Sequence, residues 1–198
     1  MNKSVLLMSA AAALLMGFGA SAQTKTHTTG TFTDDRDGKS YKTVTIGSQT
    51  WMAENLNYAA EKSACYDNKD NNCEKYGRLY NWAAAKTVCP AGWHLPKDSE
   101  WSTLMDNVGP ATAGKKFKTK AGWYNNGNGT DELGFSALPG GDGHGDGFYD
   151  AGGNGYWWSA TERDARRAWY RGLRCDFESV GRGYDYKTGQ FSVRCVQD

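Results

Sequence analysis

The chain offers three histidines, 22 carboxylates and five cysteines for chemistry near neutral pH. His27 stands in a Thr-rich lead, His94 in Trp93-His-Leu-Pro96, and His144 in the glycine-rich run from Pro139 to Gly155. Nucleophilic hydrolysis needs a base beside its nucleophile, yet neither Gly-x-Ser-x-Gly nor His-Glu-x-x-His occurs. Asp142, Asp146 and Asp150, together with His144, carry ligand types that a hard cation such as calcium accepts. Their spacing fits no ligand template, and a flexible surface loop is the competing reading. The same choice applies to Asp67, Asp70 and the asparagines between Cys65 and Cys73, where a turn-rich loop is the simpler account. No cofactor is required by any of these patterns; calcium is the one they leave open.

Aromatic side chains offer a different chemistry. Trp123, Tyr124, Tyr149, Tyr156 and Trp157 fall in or beside irregular segments, where rings can stack on sugars or grip a protein. In a chain with eight Trp and eleven Tyr, the plainer reading is that most of them are core. Arg163, Arg166, Arg167, Arg171, Arg174 and Arg182 form the densest basic patch, interleaved with Glu162, Asp164, Asp176 and Glu178. Surface ion pairs account for it first, and an anionic-ligand site second.

Positioning such residues falls to a few elements. Trp101, Leu104, Met105 and Val108 recur at helical spacing after Pro96, with Asp98 and Glu100 in the first turn and Gly109-Pro110 as the stop. Lys97 cannot serve as the Ser or Thr of a capping box, so that cap is incomplete. A second helical pattern runs through Leu79, Trp82, Ala83 and Lys86 within residues 75–86, and a shorter one lies at 112–117. Residues 31–34 and 40–46 read as strands around the Asp37-Gly38 turn, and residues 49–56 begin another buried segment around Trp51. Alternation in residues 169–177 puts Trp169, Leu173, Cys175 and Phe177 on one face, and residues 191–196 aim Phe191, Val193 and Cys195 inward. The run 139–155, with eight glycines, reads as one long irregular loop.

Residues 1–22 have the form of a secretory signal peptide: Lys3, a short apolar run, then Ala20-Ser21-Ala22. That run is too short for a membrane span, and no second one follows. Residues 23–32 read as a disordered polar lead, and residues 33–197 as a single domain. Removing Lys3 balances the remaining basic and acidic residues, which gives no general attraction to nucleic acid or anionic lipid. All five cysteines lie in the exported part, so disulfides are expected, one thiol stays over, and Cys65 and Cys73 are placed for a local bridge. No Cys-x-x-Cys is present to suggest zinc.

Several motifs carry a resemblance: Asp37-Gly38-Lys39, residues 49–57 (QTWMAENLN), residues 75–80 (KYGRLY), residues 89–96 (CPAGWHLP), residues 134–139 (GFSALP), residues 156–159 (YWWS) and residues 191–196 (FSVRCV). Together they resemble the Fibrobacter succinogenes major paralogous domain, a family of exported bacterial proteins. More distantly, Trp93-His-Leu-Pro96 with Glu100-Trp101, and the closing Val193-Arg-Cys195, are similar to formylglycine-generating-enzyme-like domains. That likeness implies a C-type-lectin-like fold: α+β, two main helices, a twisted antiparallel sheet and long irregular loops. It also implies a Cys89–Cys195 bridge with Cys175 as the free thiol; a Cys175–Cys195 bridge that frees Cys89 is the rival. The implied function is a secreted or surface-associated, non-catalytic binding or adhesion module for an extracellular polysaccharide or an envelope protein. The lectin-type calcium sugar motifs are absent. An envelope structural component is the alternative. A formylglycine-type oxidase is a third reading, disfavoured because copper(I) needs paired thiolates and Cys175 has no neighbour in sequence.

Overall fold

The computed structural model describes residues 27–145 and 147–198; the expected signal peptide and Asp146 lie outside them. In chain order the elements are β1 (Thr28–Thr33), β2 (Ser40–Ile46), β3 (Gln49–Met52), β4 (Ser63–Ala64), α1 (Asp70–Tyr76), β5 (Leu79–Asn81), α2 (Trp82–Ala85), β6 (Trp93–His94) and α3 (Asp98–Val108). They continue with α4 (Ala113–Phe117), β7 (Asp142–His144), β8 (Gly147–Tyr149), β9 (Asn154–Glu162), β10 (Arg167–Arg174), β11 (Gly181–Tyr186), β12 (Gln190–Ser192) and β13 (Val196–Gln197). The fold is α+β, rich in sheet, with few helices.

Two sheets organise it. One runs β1-β2-β3-β13-β6, the other β11-β10-β9-β12-β5-β4, with the β7–β8 hairpin attached through β12. Among the described residues every strand pair is antiparallel except β12 with β9. The closing segment alternates between two cores. Phe191, Val193 and Cys195 join Tyr41, Met52, Leu56, Tyr80 and Trp158. A second cluster gathers Val44, Trp51, Trp101, Leu104, Phe117, Phe135, Trp157 and Leu173. Within it Trp51 and Trp101 meet at 4.6 Å, which docks α3 on the first sheet.

Helix α3 follows its sequence pattern: Trp101, Leu104 and Met105 are buried, and Gly109 caps the end. Lys97 has no side-chain acceptor, so only half a capping box forms, with Glu100 Oε2 accepting from the Lys97 backbone N–H at 2.7 Å. The Asp37-Gly38 hairpin, buried Val44, Ile46 and Trp51, and α4 also stand where expected.

Four expectations are corrected. Residues 75–86 are not one helix: α1 stops at Gly77, whose φ is +74° and whose added Cβ would fall 2.7 Å from Asn55 Cβ. Leu79–Asn81 then pair with β12 and β4, and Asn81 Oδ1 caps α2 by accepting from the Ala84 N–H. Of the stretch read as a disordered lead, residues 23–26 lie outside the described residues, and from Thr28 onward it forms β1, paired with β2. The glycine-rich run contains the β7–β8 hairpin. Phe177 does not continue the inward face of β10, because the strand ends at Arg174 and a turn follows; Phe177 is 52% exposed.

Cys65–Cys73 and Cys89–Cys195 are bridged, and Cys175 is the free thiol, partly buried against the Trp101 cluster.

Candidate functional site

Strands β9, β10 and β11 pair Asn154 with Arg174 and Tyr156 with Gly172, then Gly172 with Gly181 and Tyr170 with Gly183. Residues two apart on a strand share a face, so these side chains look to the same side of the ribbon. The three glycines leave a floor without Cβ atoms. A Cβ on Gly183 would lie 2.5 Å from Tyr170 Cζ, and one on Gly172 would lie 3.3 Å from Tyr156 Cδ1. The tyrosine rings therefore rest on the glycines. Tyr156 and Tyr170 meet edge to face at 5.5 Å, and both pack on Phe191, at 5.3 Å and 5.0 Å. Half-exposed Phe177 and Ser179 complete a groove of about 370 Å³.

The polar edge of this trough is ordered. Asp150 Oδ2 accepts from the Tyr156 hydroxyl at 3.0 Å and from Asn154 Nδ2 at 2.7 Å. Burial and the Asp150 hydrogen bond raise the Tyr156 pKa, so the phenol stays a donor. Arg174 pairs with Asp176 at 2.8 Å and lies over Phe177.

Of the aromatic residues singled out from sequence, the trough contains Tyr156. Trp157 and Trp123 are core: Trp157 Nε1 donates to Asn55 Oδ1 at 2.8 Å, and Trp123 Nε1 donates to Thr119 Oγ1 and the Ala137 carbonyl. Neither presents a ring to a ligand. Tyr124 and Tyr149 are exposed but stand elsewhere, Tyr124 against Gly152 and Tyr149 against Gly147. Sequence reading missed Tyr170, Phe177 and the glycine floor. The period-two Gly181-x-Gly183 was a usable signal, but its partner Gly172 is visible only once the register is known.

Of the three aspartates read as cation ligands, two lie among the described residues and each is engaged by side chains of the protein. Asp142 is buried, with Oδ2 3.1 Å from His144 Nε2, whereas Asp150 is engaged by Tyr156 and Asn154. Asp146 lies outside the description. Among the described residues no three His, Cys, Asp or Glu side chains come together to hold a metal. His144 Nε2 also approaches Asp185 at 3.7 Å, so the turn end of the β7–β8 hairpin is tied to β11. His94 bonds Glu100 through Nε2 and Asp198 through Nδ1, which ties the entry to α3 to the last residue of the chain.

The basic patch resolves mainly into ion pairs: Arg167 with Asp164, Arg174 with Asp176, and Arg171 and Arg182 both with Asp98.

The family model of the Fibrobacter succinogenes major domain matches residues 44–197. No curated protein and no solved structure matches the chain.

Proposed function

The chain belongs to the Fibrobacter succinogenes major domain family, and from that premise we propose an exported, non-catalytic binding or adhesion module that takes a polysaccharide in the β9–β10–β11 trough. The observation that carries this reading is the glycine floor under tyrosine rings. A pyranose needs a flat apolar surface for its C–H face and hydrogen-bonding groups at the rim for its hydroxyls. Tyr156, Tyr170 and Phe177 supply the first, and the Tyr156 hydroxyl, Arg174 and Ser179 the second, with Asp150 and Asn154 holding that hydroxyl.

Two disulfides suit an oxidising compartment and support export to the cell surface or medium. No helix among the described residues is long and apolar enough to cross a membrane. We read the fold as C-type-lectin-like, since strands from both ends of the chain meet in one sheet and the long loops lie between the helices and the later strands. His94 has both ring nitrogens occupied by carboxylates, which leaves it no free position for acid–base work and supports a binding role there, and the reading requires no cofactor and no nucleic acid.

The test is affinity of purified residues 23–198 for a panel of neutral plant and bacterial polysaccharides, with and without EDTA. Gly181 is the sharpest probe: a Cβ there meets nothing nearer than 3.5 Å, so Gly181→Leu enters the trough from an unstrained Cβ. Gly181→Leu and Tyr156→Ala are each expected to weaken binding by roughly tenfold, with EDTA having no effect. Binding unchanged by both substitutions, or no binding to any polysaccharide, would refute the assignment.

A further inference from the structure

The opposite face of the same ribbon carries a different chemistry. Trp169 and Tyr184 alternate with Tyr170 and Gly183, and so point away from the trough. Their rings meet edge to face at 5.6 Å. Arg163 lies 3.2 Å over Tyr184 and Arg182 lies 3.4 Å over Trp169, so a cation covers each of the two rings. Arg182 is already paired with Asp98. The turn between β9 and β10 is different. Glu162 there is taken by Lys187 and Asp164 by Arg167, which leaves Arg163 and Arg166 exposed, with no carboxylate in ion-pair reach among the described residues.

A guanidinium laid on an aromatic ring is held in place while its N–H edge stays free, so it loses little further freedom on gripping an oxyanion. Its fork matches the oxygens of a carboxylate or sulfate. Tyr184 is 43% exposed, so this is an open surface and not a recess. Open surfaces give little affinity per contact and favour ligands that repeat their charges. We propose that Arg163 and Arg166 form a second site, one that binds the carboxylate or sulfate groups of an acidic polysaccharide. This rests on the glycan-binding reading of the domain, but on different residues and a different force.

The test is retention of residues 23–198 on polygalacturonate and on dextran sulfate at rising salt, beside neutral dextran, polyglutamate and duplex DNA. The wild type is expected to be retained on at least one acidic polysaccharide and released by salt; which one retains it identifies carboxylate or sulfate ester. Arg163→Gln with Arg166→Gln is expected to lower that affinity at least about tenfold, and Gly181→Leu to leave it unchanged. Arg163→Lys, which keeps charge but loses the fork, is expected to fall between. Thermal unfolding of each variant controls for folding, and both arginines are surface residues. No retention on either acidic polymer, or retention indifferent to the double substitution, overturns the site. Equal retention on polyglutamate or DNA overturns its assignment to polysaccharide. Loss of acidic-polymer binding in Gly181→Leu alone would move charge recognition into the trough and overturn it as well. Binding of neutral glycans tests the trough separately.

Discussion

Charge placed inside a sheet protein must find partners, and Arg194 shows how far that can go without a carboxylate. It is fully buried, with Nε donating to Asn55 Oδ1 at 2.9 Å and the two terminal nitrogens to the Phe135 and Ser136 carbonyls. Burial lowers its pKa to about 9, against the pull of Asp131 and Glu54, so it remains a cation at neutral pH. Asp142 is the acidic counterpart. Burial, with help from Asp150 and Asp185 and against His144, raises its carboxyl from 3.8 to about 6. A group whose folded pKa is raised contributes stability that is complete below the unfolded value and is lost as pH climbs through the folded one. The window is therefore pH 4 to 6. Asp142→Asn removes the titration, so its stability relative to wild type should rise by about 2–3 kcal/mol across that window and level off above it. Urea denaturation at half-unit pH steps measures this, and a difference that stays flat between pH 4 and 6 would show that burial does not govern Asp142.

At the scale of elements, the charged link between α3 and the β9–β10–β11 ribbon centres on one residue at the first turn of the helix. The Asp98 carboxylate receives Arg171 at 2.9 Å and Arg182 at 3.0 Å, and Arg171 also donates to the Asp98 carbonyl and Ser102 Oγ. The Arg171 side chain is 5% exposed, so removing its counter-charge strands a buried cation. Asp98→Asn should cost about 3–5 kcal/mol in chemical denaturation, far more than Asp176→Asn, whose Arg174 partner is in solvent. Equal losses would mean that the α3 pair is no stronger than a surface one. The helix itself was legible in sequence, because its apolar stripe and stop are local. Its clamp was not: Asp98 and Arg171 lie 73 residues apart, and interleaved signs in the 162–182 stretch look like neighbours pairing with neighbours. The same limit explains residues 75–86, where helical spacing was present but Gly77 and the pairing of Leu79–Asn81 with a strand more than 100 residues later prevailed. The trough was legible only in Tyr156 and the Gly181-x-Gly183 period, since its floor is set by the register of three strands.

For the molecule as a whole, the decisive event is the return of the C-terminus into the first sheet. Val196 sits between Trp51 of β3 and His94 of β6, the Asp198 N–H donates to the Gly92 carbonyl, and the His94 ring holds the Asp198 carboxylate. Strand β13 therefore closes a sheet whose other members come from the first half of the chain, a long-range pairing with a large loop-closure cost. Cys89–Cys195 removes much of that cost in advance, because it spans 106 residues, whereas Cys65–Cys73 spans eight. In the chain-entropy view the long bridge contributes about 4–5 kcal/mol and the short one about 2–3 kcal/mol. Replacing each pair by serine and measuring stability in guanidinium should reproduce that order. Loss of the long bridge should also raise hydrogen exchange at Met52 and Leu56, whose amides donate to the Cys195 and Val193 carbonyls. Loss of the short bridge should leave those amides protected relative to global unfolding and act on α1, which begins between its two cysteines. A greater loss from the short-loop pair would mean that native contacts, and not the constraint on the unfolded chain, hold the C-terminal strand in the sheet.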